Sequence, residues 1–248
     1  MFYWTRDIIR FRIDAAHYGG FDDKIAARIL PHLPQNAHVC DAGCGLGYLS
    51  LALAPHCARV TAVDASAEAL EVLRENAHRA GAENLSIIEG DLFSMRPARK
   101  YDAMVFCFFG GMNAALRAIK AQCASKAFLI KKHWDTHRFA LEEKPLAHYT
   151  FQRACAELDA LGVPYQAEVF PLEMGQPLRS VEDAALFFST YNEESIPNET
   201  ERARIAGRLV STGDAQFPYY LPACRPLGMI VLNAGDIPDF IENDASEE

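Results

Sequence analysis

The sequence predicts an α/β protein built on a doubly wound, mostly parallel seven-stranded sheet with helices on both faces. From residue 37 onward, short apolar runs alternate with segments whose apolar residues recur at helical spacing. A glycine-rich loop follows the first apolar run directly, where α/β sheets bind ligands. The chain has 248 residues, of which 50% are hydrophobic, and this length is enough to bury one large core.

Seven apolar runs have the length and composition of strands. The run 103–109 is apolar throughout, which is typical of a strand that is covered on both faces. Because helical segments separate most of these runs, we expect parallel strands that are joined by right-handed crossovers. In chain order, the predicted strands span residues 37–41, 59–64, 84–89, 103–109, 127–130, 166–170 and 228–232.

The helices between these strands are predicted from apolar residues that lie three and four positions apart. Leu70, Leu73 and Ala77 mark one such helix, which Ser66 can cap and Gly81 can end. The other predicted helices carry the apolar sets Leu49, Leu51 and Leu53; Met112, Leu116, Ile119 and Cys123; and Phe151, Cys155 and Leu158.

Two segments lie outside this alternation of strands and helices. Residues 1–36 have a helical pattern up to Pro31 and are predicted to form an N-terminal helical cap. Residues 175–222, between the sixth and seventh strands, are predicted to form a helical insert that serves as a substrate lid. The main domain is expected to span 37–242, and 243–248 to form a solvated acidic tail.

The predicted insert shows two helix starts and several aromatic residues. Ser180 with Asp183, and Asn198 with Glu201, match an N-cap that is followed by an acidic N3 residue. The aromatic residues either wall a substrate pocket or form a satellite core or an oligomer contact. They are Phe187, Phe188, Tyr191, Phe217, Tyr219 and Tyr220.

The charge and cysteine content limit the class of protein. Lysine and arginine total 24 against 33 aspartate and glutamate residues, which gives a net charge of −9 and a pI near 5.4. Such a chain lacks the general basic character that non-specific nucleic-acid binding needs. No apolar run reaches the length of a membrane span, and the N-terminus lacks a signal-peptide layout. Seven scattered cysteines indicate free thiols in a reducing compartment, and therefore a cytoplasmic protein.

The loop after the first predicted strand reads Asp41-Ala42-Gly43-Cys44-Gly45-Leu46-Gly47. Glycine at every second position lets the backbone turn tightly and approach a ligand closely. The nicotinamide fingerprint G-x-G-x-x-G needs a third glycine where this chain has Tyr48, so an NAD-dependent oxidoreductase is the least supported alternative. A carboxylate at Asp41 suits a ligand with an amino group better than it suits a pyrophosphate.

This loop resembles the first motif of the class I S-adenosylmethionine-dependent methyltransferases, and the resemblance covers residues 37–132 clearly. It implies that Asp64 binds the ribose hydroxyls of the cofactor and that Asp91 meets its adenine amino group. An ionised carboxylate suits two adjacent hydroxyl donors, although both residues could instead be helix N-caps. The residues that the resemblance implies for cofactor binding are Asp41, Gly43, Cys44, Gly45, Gly47, Asp64, Ala65, Asp91, Leu92 and Cys107.

The segment 106–111, after the fourth strand, borders the methyl acceptor in the family that the chain resembles. It lacks the Asn/Asp, two prolines and aromatic residue of amino-methylating nucleic-acid enzymes, and also the Pro-Cys pair of cytosine-C5 enzymes. Cys107 could be a nucleophile, but its apolar neighbours favour a small buried hydrophobe. The aromatic, small-residue character of the segment is compatible with a small-molecule acceptor.

The catalytic residues are not fixed by the sequence, because the cofactor supplies the reactive group and the protein mainly positions the partners. His133 follows the fifth strand and is a candidate general base. His133 and His137 have the spacing of metal ligands, but without a third ligand a surface or capping role is favoured and no metal is predicted. Tyr18 is a second candidate, which either closes over the cofactor or packs against the domain.

The sequence therefore predicts a methyltransferase that uses S-adenosylmethionine and acts on a small-molecule acceptor by in-line methyl transfer. One alternative is a protein or RNA methyltransferase, since residues 96–100 and Lys131 with Lys132 leave room for a local basic patch. A second alternative is a cofactor-binding subunit or sensor without transferase activity. No membrane partner is expected, and the oligomeric state and the acceptor atom stay open.

Overall fold

The structure, a computed structural model, describes residues 3–137, 139–142, 144–145, 149–193 and 195–239. The predicted acidic tail, 243–248, lies outside these residues. None of the described helices is long and apolar enough to cross a membrane. The helices are α1 (Arg6–Gly19), α2 (Phe21–Ile29), α3 (Tyr48–Leu53), α4 (Ala67–Ala80), α5 (Met112–Gln122), α6 (Phe151–Leu161), α7 (Val181–Asn192) and α8 (Glu199–Ala206). The strands are β1 (His38–Ala42), β2 (Arg59–Asp64), β3 (Leu85–Glu89), β4 (Tyr101–Cys107), β5 (Cys123–Lys132), β6 (Tyr165–Glu173), β7 (Gln176–Leu178), β8 (Val210–Ser211), β9 (Tyr219–Leu221) and β10 (Cys224–Asn233).

The described residues divide into two compact units. One, which we call the insert unit, is drawn from Met1–Phe21, Trp134–His148 and Pro171–Pro226. The other, which we call the sheet unit, is drawn from Asp22–His133, Tyr149–Phe170 and Leu227–Glu248. The roles predicted for 1–36 as a cap and for 175–222 as a lid stay predictions.

The sheet unit is built on seven strands in the order β3-β2-β1-β4-β5-β10-β6. Strands β1 to β5 pair in parallel with their neighbours, and β10 runs antiparallel to β5. The predicted mostly parallel seven-stranded α/β sheet is thereby confirmed. The strand order reverses between β1 and β4, so the loops that follow these two strands flank the switch point at which open α/β sheets bind ligands.

Helices cover both faces of this sheet. On one face, α5 and α6 pack with Val63 and Leu129 in the largest apolar cluster that the structure describes. On the other face, Leu70 and Leu73 of α4 pack against Ala62. Ala62 and Val63 join different clusters because neighbouring residues of a strand point to opposite faces.

Several helix boundaries lie where the sequence predicts them. Ser66 caps α4 by accepting a hydrogen bond from a backbone N–H, and Gly81 ends that helix with a φ of 62°. Ser180 caps α7 in the same way. Asn198 and Glu201 form a complete capping box at the start of α8. Each contact satisfies a backbone N–H that the first turn of a helix leaves without an intrahelical partner.

The boundaries of β4 and β5 differ from the predicted ones. Cys123 was expected on a helix face with Ile119, but its backbone is extended and it pairs with Tyr101 as the first residue of β5. Strand β4 ends at Cys107 rather than at residue 109, because Phe108 has a φ of 56° that breaks the extended backbone. The short strands β7, β8 and β9 were not predicted.

The insert unit has an antiparallel sheet of its own, in the order β7-β9-β8, and an aromatic core. The ring centroids of Phe11 and Phe139 lie 4.9 Å and 4.7 Å from that of Phe187 in edge-to-face arrangements, which are favourable geometries for aromatic pairs. Phe187 and Phe188 are fully buried in this cluster. The satellite-core alternative therefore holds for these two residues of the predicted substrate pocket.

An ionic network joins α1 to the start of α7 within the insert unit. Arg179 donates to both carboxylate oxygens of Asp14, at 2.6 Å and 2.8 Å. Arg10 donates to Asp183 at 2.7 Å. The Asp14 contact raises the pKa of Arg179, and the bidentate geometry fixes the orientation of both side chains.

We predict that Gly228→Ala lowers the free energy of unfolding by about 1–3 kcal/mol, because overpacking a core forces neighbouring groups to shift. A Cβ at Gly228 would overlap the Phe151 ring, whereas one at Gly235 would meet no atom within 4 Å. Gly235→Ala is therefore the matched control and should stay within about 0.5 kcal/mol of the wild type. Urea unfolding measures both, and equal effects of the two substitutions would contradict the prediction.

Candidate functional site

The glycine loop after β1 requires glycine for its backbone conformation. The φ values of Gly43, Gly45 and Gly47 are 66°, 53° and 74°. Residues other than glycine rarely adopt a backbone conformation in this region. The Cys44 N–H donates to the Val63 carbonyl at 3.0 Å, and the Gly47 N–H donates to the Cys44 carbonyl at 2.9 Å. The loop is thus a fixed turn that is anchored to the end of β2.

Two of these glycines also leave space that other side chains fill. A Cβ at Gly43 would overlap the Phe109 ring, and a Cβ at Gly47 would overlap Leu73. From the sequence alone, the approach of a ligand explains these glycines. The structure adds a second cause at these two positions, which is close packing within the protein.

Asp64 connects three loops at the carboxyl end of the sheet. Its carboxylate accepts hydrogen bonds from the Gly45 N–H at 2.8 Å and from the Ser66 N–H at 2.9 Å. Its main-chain carbonyl accepts from the Gly90 N–H at 2.9 Å. Ser66 is the N-cap of α4, so the N-cap alternative for Asp64 is wrong. Because a carboxylate has about four acceptor positions, Asp64 keeps capacity for hydroxyl donors of a ligand.

Asp91 and its neighbour follow β3 at the same edge of the sheet. Asp91 is exposed and accepts a hydrogen bond from the Phe93 N–H at 3.0 Å, so that it closes a turn. Leu92 is buried, and its carbonyl accepts from the Gln122 side chain at 2.9 Å. Ala65, which follows Asp64, is exposed. Asp64 is partly exposed and Asp91 is exposed, so both carboxylates are accessible to solvent.

Asp41 differs from these residues because it is buried inside the sheet unit, with 2% of its surface exposed. The Ser50 hydroxyl donates to its carboxylate at 2.5 Å. Burial raises the pKa of Asp41 to about 7, against the opposing effect of the Ser50 hydrogen bond. The carboxyl group therefore titrates near neutral pH, which is unusual for an aspartate.

The loop after β4 is held by a buried lysine that the sequence analysis did not select for the site. Lys131 is 4% exposed, and its ammonium group donates to the carbonyls of Phe109 and Gly110 at 2.8 Å and 2.7 Å. Burial lowers the pKa of Lys131 to about 8. The only sequence signal was a lysine that directly continues the apolar residues of β5.

The remaining candidates occupy different positions. Cys107 is the partly buried last residue of β4 and pairs with Ile130. His133 follows β5, packs edge-on against Phe151 at 5.2 Å between ring centroids, and has a buried Nδ1 without a hydrogen-bond partner among the described residues. Tyr18 belongs to the insert unit, where it stacks on Tyr220 at 5.3 Å.

His137, the other half of the considered histidine pair, accepts a hydrogen bond at Nδ1 from the Phe139 N–H at 3.3 Å. No described helix begins or ends beside His137, so this contact lies within a loop and caps no helix among the described residues. Within the described ranges, no three His, Cys, Asp or Glu side chains group together as metal ligands do.

The seven-stranded sheet, with its glycine loop at the switch point, has the Rossmann-like fold of the class I S-adenosylmethionine-dependent methyltransferases. Residues 39–126 match the family model described as a methyltransferase domain. S-adenosylmethionine is the methyl donor that enzymes of that class use.

Solved structures with a similar fold are distant in sequence. The YcgJ protein from Bacillus subtilis is 16% identical, with a TM-score of 0.53 over 83% of this chain and 97% of that chain. A proposed methyltransferase from Bacillus halodurans C-125 is 14% identical, with a TM-score of 0.54 over 86% and 98%. The precorrin 8W decarboxylase from Methanobacterium thermoautotrophicum is 18% identical, with a TM-score of 0.50 over 84% and 89%. The sequence has no significant match among curated proteins.

We predict that Asp41→Asn removes a pH dependence of stability. The pKa of Asp41 is raised from 3.8 to about 7 in the folded protein. Between these two pH values, Asp41 is therefore protonated in the folded protein and ionised in the unfolded chain. This contribution to the free energy of unfolding therefore falls as the pH rises through that window. Relative to wild type, the stability of the variant should rise by about 1–4 kcal/mol between pH 4 and 8.

Urea unfolding at several pH values measures this difference. Glu89→Gln, which removes an exposed carboxylate at the end of β3, is the control and should follow the wild-type profile. A stability difference between D41N and wild type that stays constant with pH would contradict the expectation.

Proposed function

We propose that this chain transfers the methyl group of S-adenosylmethionine to a small-molecule acceptor by in-line displacement. The observation that carries the proposal is the meeting of the loops after β1, β2 and β4. The Gly45 N–H bonds to Asp64, and the Phe109 ring fills the space beside Gly43. These loops flank the switch point, where the cofactor and the acceptor can be brought together.

The proposed cofactor contacts follow from the groups that each loop offers. Asp64, with Ala65 beside it, accepts from the ribose hydroxyls through the acceptor positions that its two backbone hydrogen bonds leave over. Asp91, next to the buried Leu92, accepts from the adenine amino group. The loop 41–47, including Cys44, surrounds the methionine portion, and Cys107 lies at the end of the adjoining strand.

When bound, S-adenosylmethionine supplies an electrophilic methyl group, so the protein needs mainly to orient the acceptor and exclude water. Phe108 offers an apolar surface, since 42% of it is exposed. The neighbouring Phe109 stacks on Phe93, with ring centroids 5.3 Å apart. His133, with its unpartnered Nδ1, is the proposed general base for an acceptor that must lose a proton.

Aromatic surface and a net charge of −9 support a small acceptor over RNA, since RNA binding relies on positive charge along the phosphate backbone. The alternatives are a protein or RNA methyltransferase and a cofactor-binding subunit without activity. Neither has a specific structural observation in its favour.

We predict that Asp64→Asn raises the dissociation constant of S-adenosylhomocysteine about 10-fold to 100-fold, because the amide offers one acceptor oxygen where the carboxylate offers two to the backbone N–H groups and the ribose hydroxyls. Isothermal titration measures the affinity, and the melting temperature without ligand checks that the variant is folded. The control is Glu89→Gln, because Glu89 lies beside Asp64 on the neighbouring strand and the substitution also replaces a carboxylate by an amide. The affinity of this variant for S-adenosylhomocysteine should equal that of the wild type. Absence of binding by the wild-type protein at millimolar ligand would overturn the cofactor assignment.

The acceptor class is tested with methyl-labelled S-adenosylmethionine and three separate mixtures: small metabolites, total RNA and unfolded protein. We expect label to enter the metabolite mixture alone. Transfer of label to RNA or protein would favour the macromolecular alternative. Cofactor binding without transfer to any mixture would favour the subunit without activity.

A further inference from the structure

The loop after β4 bends through an uncommon backbone conformation. Phe108 and Gly110 have φ values of 56° and 67°, and this region is unfavourable for a bulky residue such as phenylalanine. The Phe108 N–H still donates to the Ile130 carbonyl at 3.0 Å. A conformation of this kind persists only where contacts with the surrounding residues stabilise it.

The main contact is the ammonium group of Lys131. It donates to the carbonyls of Phe109 and Gly110 at 2.8 Å and 2.7 Å. Because the side chain is buried, these hydrogen bonds replace most of its hydration and are of the strong, charge-assisted kind. Lys131 therefore binds the two peptide groups whose orientation defines the turn.

The other groups that face Lys131 do not neutralise it through a direct ion pair in the described contacts. Cys107 on β4 and Glu157 on α6 each raise its pKa, but burial outweighs both effects. The Tyr149 ring lies 5.4 Å from Nζ, and the Tyr149 hydroxyl donates to Glu157. The carbonyls of the loop are thus the closest polar partners that the structure assigns to the ammonium group.

The turn determines where the Phe109 ring lies. The ring is nearly parallel to that of Phe93, with an interplanar angle of 5°. It also fills the space that a Cβ at position 43 would occupy. A displacement of the Phe109 main chain would therefore move an aromatic ring that forms one side of the glycine loop.

We propose that Lys131 is a positioning residue of the cofactor site: its ammonium group fixes the Phe109 and Gly110 carbonyls and thereby holds the Phe109 ring against Gly43. This inference rests on the proposed function, which assigns the glycine loop to the cofactor. Lys131 itself does not touch the cofactor, and it acts through Phe109.

The test is a double-mutant cycle read out as the dissociation constant of S-adenosylhomocysteine at pH 7. Lys131→Met keeps an unbranched side chain that is one atom shorter and removes the donors, and it should weaken binding about 10-fold. In the Phe109→Leu background the same substitution should change the affinity less than about 2-fold, because the two residues act through one contact. Equal effects of Lys131→Met in both backgrounds would overturn the proposal.

Lys132→Met is the matched control, since Lys132 is the next residue of β5 and points to the opposite face of the strand. The affinity of the Lys132→Met variant for S-adenosylhomocysteine should stay within about 2-fold of the wild type, whereas that of the Lys131→Met variant should not. If the wild type fails to bind S-adenosylhomocysteine, the proposed function fails. If the wild type binds and Lys131→Met binds equally well, only the role of Lys131 fails.

A measurement on the wild-type protein keeps the proposal testable if the variants do not fold. The carbon shifts of the Phe109 and Gly110 carbonyls should titrate together with the Lys131 side chain, near its pKa of about 8. Carbonyl shifts that stay constant while Lys131 titrates would show that its charge does not act on the loop.

Discussion

The arrangement of the site depends on the hydrogen bonds of Asp64. Its side chain binds the N–H groups of Gly45 and Ser66, and its carbonyl binds the N–H of Gly90. One residue at the end of β2 thus fixes the turn after β1, the start of α4 and the exit from β3. Adjacent parallel strands end at the same edge of a sheet, so the three loops that follow them lie close together. The hydrogen bonds of Asp64 fix the positions of these loops relative to one another, and a ligand bound at this edge would contact them.

The type of sheet, mostly parallel with seven strands, could be predicted from the sequence because apolar runs alternate with segments of helical spacing. The sequence was less informative where distant contacts decide the backbone. Cys123 keeps the helical spacing from Ile119 yet belongs to a strand, since pairing with Tyr101 outweighs local preference. The strands of the insert unit have only two or three residues, too few for a recognisable period of two.

For the candidate site, the sequence indicated where acidic residues stand but not how they are buried or bonded. Acidic residues after successive strands were recognisable, because strand ends are visible in the sequence. The burial of Asp41 and its hydrogen bond with Ser50 were not, because burial depends on the packing of the whole unit. Lys131 was missed for the same reason: a lysine at the end of an apolar strand is usually solvated, and only the fold shows that loop carbonyls surround its ammonium group.

The contact between Gly43 and Phe109 has a consequence for sequence variation at these two positions. A side chain at position 43 and an aromatic ring at position 109 exclude each other by overlap. The two positions are 66 residues apart in the chain, yet the ring at the second adds a steric restriction to the one that a φ of 66° already imposes on the first. In related sequences that keep this loop geometry, glycine should therefore be retained at position 43 even where position 109 carries a smaller side chain.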